Sequence, residues 1–109
     1  MTLELPVLAI PRFDLDPPDV TAAVSVSALL GDRTRAAILR MLRDGPHCVC
    51  ELAAALGERE NNVSNHLARL RDAGLVRATR HEVNARFLYY ERDETAMAHA
   101  RAAIDEVLR

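Results

Sequence analysis

Residues 49–76, VCELAAALGERENNVSNHLARLRDAGLV, carry two helical patterns, each closed by a glycine. In the first, Leu52 and Leu56 lie at i and i+4 and Gly57 follows at a favoured C-cap position, which predicts a short helix over about 49–56. In the second, Val63, Leu67 and Leu70 fall at i, i+4 and i+7, one buried stripe of a helix over about 60–73 that Gly74 closes. Two such helices joined by a very short turn are what a helix-turn-helix requires. Opposite the buried stripe stand Asn61, Asn65, Ala68 and Asp72, flanked by Asn62 and Arg69 on one side and Ser64 on the other. Asparagine can pair bidentately with adenine in the major groove, and serine, histidine or arginine can take phosphates or bases. Taken alone, the same residues are equally an ordinary solvated helix face.

Working outward, the period after Gly74 changes from helical toward two. Residues 75–80 and 86–91 are β-prone runs around 81–85, which predicts a two-stranded hairpin. With Arg77, Arg80 and Arg86 that hairpin reads as a basic wing lying along a DNA backbone, and it tips the polar face of the preceding helix toward DNA. Before the motif, Asp16-Pro17-Pro18-Asp19 reads as an N-cap, first-turn prolines and an N3 acid opening a helix that runs to about Leu30. Asp32 can cap a second helix over 33–43, with Ile38, Leu39 and Leu42 inside and Asp44-Gly45-Pro46 as its stop. Residues 93–108 return to helical spacing with Asp93 as cap. The expected fold is α+β and mainly helical: a winged helix-turn-helix of about five helices plus the hairpin, with residues 1–15 as an N-terminal arm and 16–109 as one domain.

Composition agrees with a small globular domain. The chain has 109 residues, half of them apolar and 28% charged, enough for one modest core. No apolar run approaches the roughly 20 residues of a membrane span. The start, MTLELPVLAIPRF, has no basic leader, so the expected location is cytoplasmic. The net charge of −2 hides an asymmetry. All fourteen cations are arginine; between Arg59 and Arg92 seven stand against four acids, a balance of +3, while the rest of the chain stands at −5. Such a distribution can mark a nucleic-acid face. There is no glycine-rich phosphate loop, paired carboxylate cleft or catalytic constellation, so no enzymatic activity and no organic cofactor are expected.

LLGDRTRAAILRML, CVCELAAALG, NVSNHLARLRDAGLV and the FLYY run together resemble the ArsR/SmtB family of metal- and arsenic-responsive repressors, over roughly residues 25–92. The resemblance implies a homodimer on double-stranded operator DNA, with the first and last helices forming the dimer interface. It also implies that Ser64 and His66 of the reading helix meet DNA. The chain departs from the family pattern at Arg33, where proline is frequent, and at Arg59, where serine often caps the reading helix. The wing contains no glycine, leaving Asn84 as the residue for a positive-φ turn.

Cys48-Val49-Cys50 resembles the CVC of the family's arsenic and cadmium/lead sensors. Thiolates are soft ligands suited to arsenite, cadmium, lead or zinc, and a helix N-terminus favours the thiolate. The spacing suits a metal or thiol site better than a structural disulfide. Residues i and i+2 of a regular helix point about 200° apart, so Cys48 is expected at or just before the helix start. Metal binding would then pull that first turn out of register. His47 is the nearest further donor, and Asp14 or Asp16 of a second protomer are others; Ala53 stands where some family members have a third cysteine. The family's zinc site on the last helix is not expected, since Glu94, Ala96 and Val107 replace its Asp, His and His. His99 then reads as a surface residue, and His81 as either a phosphate contact or a solvated one. Apart from the resemblance, Cys50 could be a small core hydrophobe and Cys48 incidental. A thiol-redox switch, or a repressor without a sensor, are the alternatives.

Overall fold

A computed structural model describes residues 11–80 and 88–109. Among them the order is α1 (Pro18–Leu30), α2 (Arg33–Leu42), β1 (His47–Cys48), α3 (Val49–Leu56), α4 (Glu60–Asp72), β2 (Val76–Arg80), β3 (Leu88–Arg92) and α5 (Glu94–Leu108). This is the winged helix-turn-helix expected, with one addition. The sheet has three antiparallel strands in the order β1-β3-β2, not two. His47 pairs with Tyr90 and Cys48 with Tyr89, on the edge of β3 that β2 leaves open. Two residues are too few to carry a period, so β1 exists only because the α2–α3 connection passes that edge. The hairpin register runs from Val76 opposite Arg92 to Arg80 opposite Leu88. The second strand begins at Leu88; His81, Asn84 and Arg86 lie outside the described residues.

Helix boundaries follow local chemistry. Asp32 caps α2 by accepting from the Arg35 amide at 3.0 Å, and Asp93 caps α5 by accepting from Ala96 at 3.0 Å. The expected cap at Asp16 is not formed. Pro17 occupies the N-cap of α1 with φ −66° and ψ 154°, and Pro18 follows as the first helical residue, where its missing N–H costs nothing. Asp16 instead donates its amide to Asp14. Gly57 ends α3 at φ 65° and Gly74 follows α4 at φ 78°, left-handed positions at which glycine avoids the Cβ penalty.

The core forms where the predicted stripes meet. Ile38 of α2, Leu52 of α3 and Val63, Leu67 and Leu70 of α4 are wholly buried, and Leu75 just before β2, Tyr90 of β3 and Met97 of α5 close the cluster. Leu56 is only half-buried. Helices α1 and α5 pack on each other beside this core. Arg92, whose side chain is 13% exposed, ties sheet to helices: Nη1 donates to the Leu39 carbonyl at 3.2 Å, and Nε and Nη2 to Glu94 at 3.1 and 2.9 Å.

Candidate nucleic-acid interface and cysteine pair

The short turn through Gly57 and Glu58 sets α4 across α3, so that its polar face points away from the core. Asn61, Ser64, Asn65 and Arg69 are exposed there. Asn62 is half-buried and donates to Glu58 Oε2 at 2.8 Å, bracing the turn. Arg59 occupies the N-cap of α4 and makes no side-chain cap bond, while Arg69 and Arg71 sit in the last turn, where cations complement the helix dipole. His66 behaves differently from its neighbours. Its side chain is 15% exposed and turns toward the start of α2, with Nδ1 3.3 Å from Arg35 Nη1 and Nε2 3.8 Å from Asp32 Oδ1. The structure therefore does not gather it with the solvent-facing asparagines.

In the wing, Arg77 lies on the outer side of β2 but is engaged by acids of its own protomer. Its Nε donates to Glu91 Oε1 at 2.8 Å and Nη1 is 3.6 Å from Asp93 Oδ2, which raises the guanidinium pKa further above its ordinary value. Arg80 is exposed at the far end of β2.

At the other end of the helix-turn-helix, Cys48 is the N-cap of α3, with extended φ −82° and ψ 164°. That conformation lies outside the helix and lets its sulfur meet that of Cys50 in the first turn, with Cα atoms 5.4 Å apart. The two are joined as a disulfide, contrary to the expectation from their spacing. Cys48 stands just before the helix, as expected, and its backbone pairs with β3, so the 200° divergence of a regular helix does not apply. Cys48 Sγ also accepts from the Glu51 amide at 3.4 Å while Glu51 Oε1 accepts from the Cys48 amide at 3.1 Å, a complete capping box. Glu51 Oε2 meets His47 Nδ1 at 3.4 Å. Among the described residues no group of three or more His, Cys, Asp or Glu is arranged as a metal site. The donor chemistry nonetheless fits a soft ion. Both sulfurs converge on one side of the α3 terminus.

The cap amide of Cys48 holds the Glu51 carboxyl below its ordinary value of 4.5, and the Arg35 amide holds that of Asp32 below 3.8. A carboxyl depressed in the folded state adds stability that is complete above its unfolded pKa and lost as pH falls through the folded one. The melting temperature is therefore expected to hold from pH 7 to about 5 and to fall below that. Glu51→Gln and Asp32→Asn should flatten the acid limb. An acid limb unchanged in both variants would contradict the capping role.

The helix-turn-helix matches the profile of the bacterial regulatory protein arsR family over residues 32–78. The chain is 32% identical over 87 residues to the arsenical resistance operon repressor of Escherichia coli K12, spanning 79% of this chain and 72% of that one. The chain belongs to the ArsR family. This ArsR-family protein is a DNA-binding transcriptional regulator and not an enzyme. It is also 48% identical over 59 residues to the regulator CmtR of Mycobacterium bovis, 54% of this chain and half of that protein. Among solved structures, a possible transcriptional regulator for arsenical resistance superposes with a TM-score of 0.67 at 30% identity, covering 75% of this chain and 82% of that one. HlyU from Vibrio cholerae does so with a TM-score of 0.67 at 29% identity, covering 83% and 91%. No helix among the described residues is long and apolar enough to cross a membrane.

Two groups beside these sites escaped the sequence reading: Glu51, which closes the cap at the cysteine pair, and Arg35, whose guanidinium meets the His66 ring. The S/T-x-x-E cap pattern would have pointed to Glu51 had Cys48 been counted as a cap residue.

Proposed function

We propose that this regulator is a cytoplasmic repressor that binds operator DNA as a homodimer and is released when arsenite, cadmium, lead or zinc binds the thiolates of Cys48 and Cys50. One observation carries the reading: the extended Cys48 brings both sulfurs together at the first turn of α3, the helix packed directly against the reading helix α4. An ion on Cys48 Sγ competes with the cap bond from the Glu51 amide. Binding then disturbs the α3 terminus by uncapping it, rather than by unwinding a turn. The names of the relatives, an arsenical resistance repressor above all, agree with a soft effector. His47 is the nearest third donor on offer, though its ring is turned to Glu51.

DNA recognition is assigned to Asn61, Asn62, Ser64 and Asn65 for bases, and to Arg69, Arg80 and Arg86 for the backbone, while Arg77 is held by Glu91 and Asp93 of its own protomer. Residues 16–109 form the binding and dimerisation domain and 1–15 an arm. A thiol-redox response is the second reading, favoured by the disulfide between the same two cysteines.

The test is release of an operator duplex by the reduced protein, titrated in parallel with the four ions and then with an oxidant. Release by an ion is expected at sub-saturating oxidant-free conditions; release by oxidant alone selects the second reading. On the DNA side, Asn65→Ala should blur base preference, whereas Arg80→Ala should weaken binding to every sequence and reduce the salt slope by about 1. Altered base preference with an intact slope in the arginine variant would refute the wing assignment.

A further inference from the structure

Arg35 joins three elements. Its Nε donates to the Leu29 carbonyl at 2.8 Å and Nη2 to the Ala28 carbonyl at 3.3 Å, both in the last turn of α1, while Nη1 reaches His66 Nδ1 of α4 at 3.3 Å. Helix α1 has no basic residue in its own last turn, so Arg35 supplies the cation that its C-terminal carbonyls favour. A guanidinium can only donate, so Nδ1 must accept and the ring carries its proton on Nε2. That N–H faces Asp32 Oδ1 at 3.8 Å, too long for a hydrogen bond but an attractive contact. Asp32 is itself fixed as the α2 cap. On α4, position 66 lies three residues after Val63 and four before Leu70, beside the buried stripe rather than opposite it.

We infer that His66 is a positioning residue, holding the reading helix through Nδ1 to the Arg35 guanidinium and thereby to the end of α1, and that it makes no contact with DNA. The inference rests on the reading that α4 enters the major groove. Its consequence is that the orientation of α4 is set from the α1–α2 junction. Loss of His66 therefore costs sequence discrimination while leaving phosphate contacts intact.

Two isosteric replacements separate the roles. The Oδ1 of asparagine falls near the position of Nδ1 and can accept from Arg35; the amide of glutamine falls near Nε2 and cannot. The probe is a duplex enriched by the wild-type protein from random-sequence DNA, with an unrelated duplex as control. His66→Asn should bind the enriched duplex within about threefold of wild type, and His66→Gln about 10- to 100-fold more weakly, as loss of a charge-assisted bond predicts. Both should bind the unrelated duplex alike, with an unchanged salt slope. Arg35→Gln should weaken binding similarly, and combining it with His66→Gln should add little further. In the DNA-free protein, ring nitrogen NMR should show Nε2 protonated and Nδ1 bare at neutral pH. The reverse order, with glutamine rescuing and asparagine failing, would establish a DNA contact instead. A protonated Nδ1, or additive losses in the double variant, would equally overturn the positioning role. If the wild type enriches no duplex, it is the DNA-binding reading that fails, and the NMR result still decides whether the Arg35–His66 bond exists.

Discussion

Ile104→Asp is expected to convert a dimer into monomers and to abolish specific operator binding. Ile104 lies half-buried on α5, between Arg101 and Leu108. The α1–α5 pair buries Ala23 and Met97 within the protomer but leaves Val24, Val107 and Leu108 at 62%, 48% and 78% exposure. An apolar rim of this kind on two packed helices is the self-complementary surface a two-fold dimer uses. A carboxylate set there is buried without a partner on association, a penalty of several kcal/mol in a typical interface. Each monomer then reads one half-site. Affinity should fall from the 10⁻⁸ M or tighter typical of specific complexes toward the roughly 10⁻⁴–10⁻⁶ M of non-specific ones, at least about a hundredfold. Sedimentation equilibrium and a DNA titration on the same sample measure both. A variant that stays dimeric, or a monomer that binds operator normally, would remove α5 from the interface.

The second large effect belongs to the cysteines. Cys48→Ser and Cys50→Ser should each leave operator affinity near wild type and abolish release by the ion, a response of about 5- to 150-fold for a coupling of 1–3 kcal/mol. The serine at 48 is a clean test because serine is a preferred N-cap, so its hydroxyl can take over the bond from the Glu51 amide. Helix α3 then keeps its terminus while the soft donor is gone. Fluorescence anisotropy of labelled operator, with and without ion in reducing buffer, reads the outcome. Normal release in both variants would move the sensor to the dimer interface or the arm.

These effects sit on a fold whose outline could be read from periodicity. The stripes Ile38–Leu42, Leu52, and Val63–Leu67–Leu70 all go inside, because helical spacing alone puts such residues on one face and the hydrophobic effect buries that face wherever it points. The caps at Asp32 and Asp93 and the stops at Gly57 and Gly74 were equally legible, since each depends on atoms within four residues. Asp16 failed as a cap because two consecutive prolines supply their own extended-to-helical transition at Pro17 and Pro18.

Contacts between elements distant in sequence were not legible, and they are what shapes the candidate site. The place of Cys48 just before the helix was expected, but strand β1, which holds it extended, needs the open edge of β3, more than forty residues away. His66 looked like one more polar residue of the reading helix until Arg35, folding back from α2, claimed its ring. Arg77 counted as a free cation of the wing until the hairpin register set Glu91 opposite it. The sequence by itself determined the helices, their order and the donor types at the α3 terminus, because those follow from local spacing and side-chain chemistry. Only the tertiary structure decided which long polar side chains stay at the surface and which are engaged inside the protomer, because a guanidinium or imidazole reaches several ångströms and its partner is chosen by packing, not by neighbours in the chain.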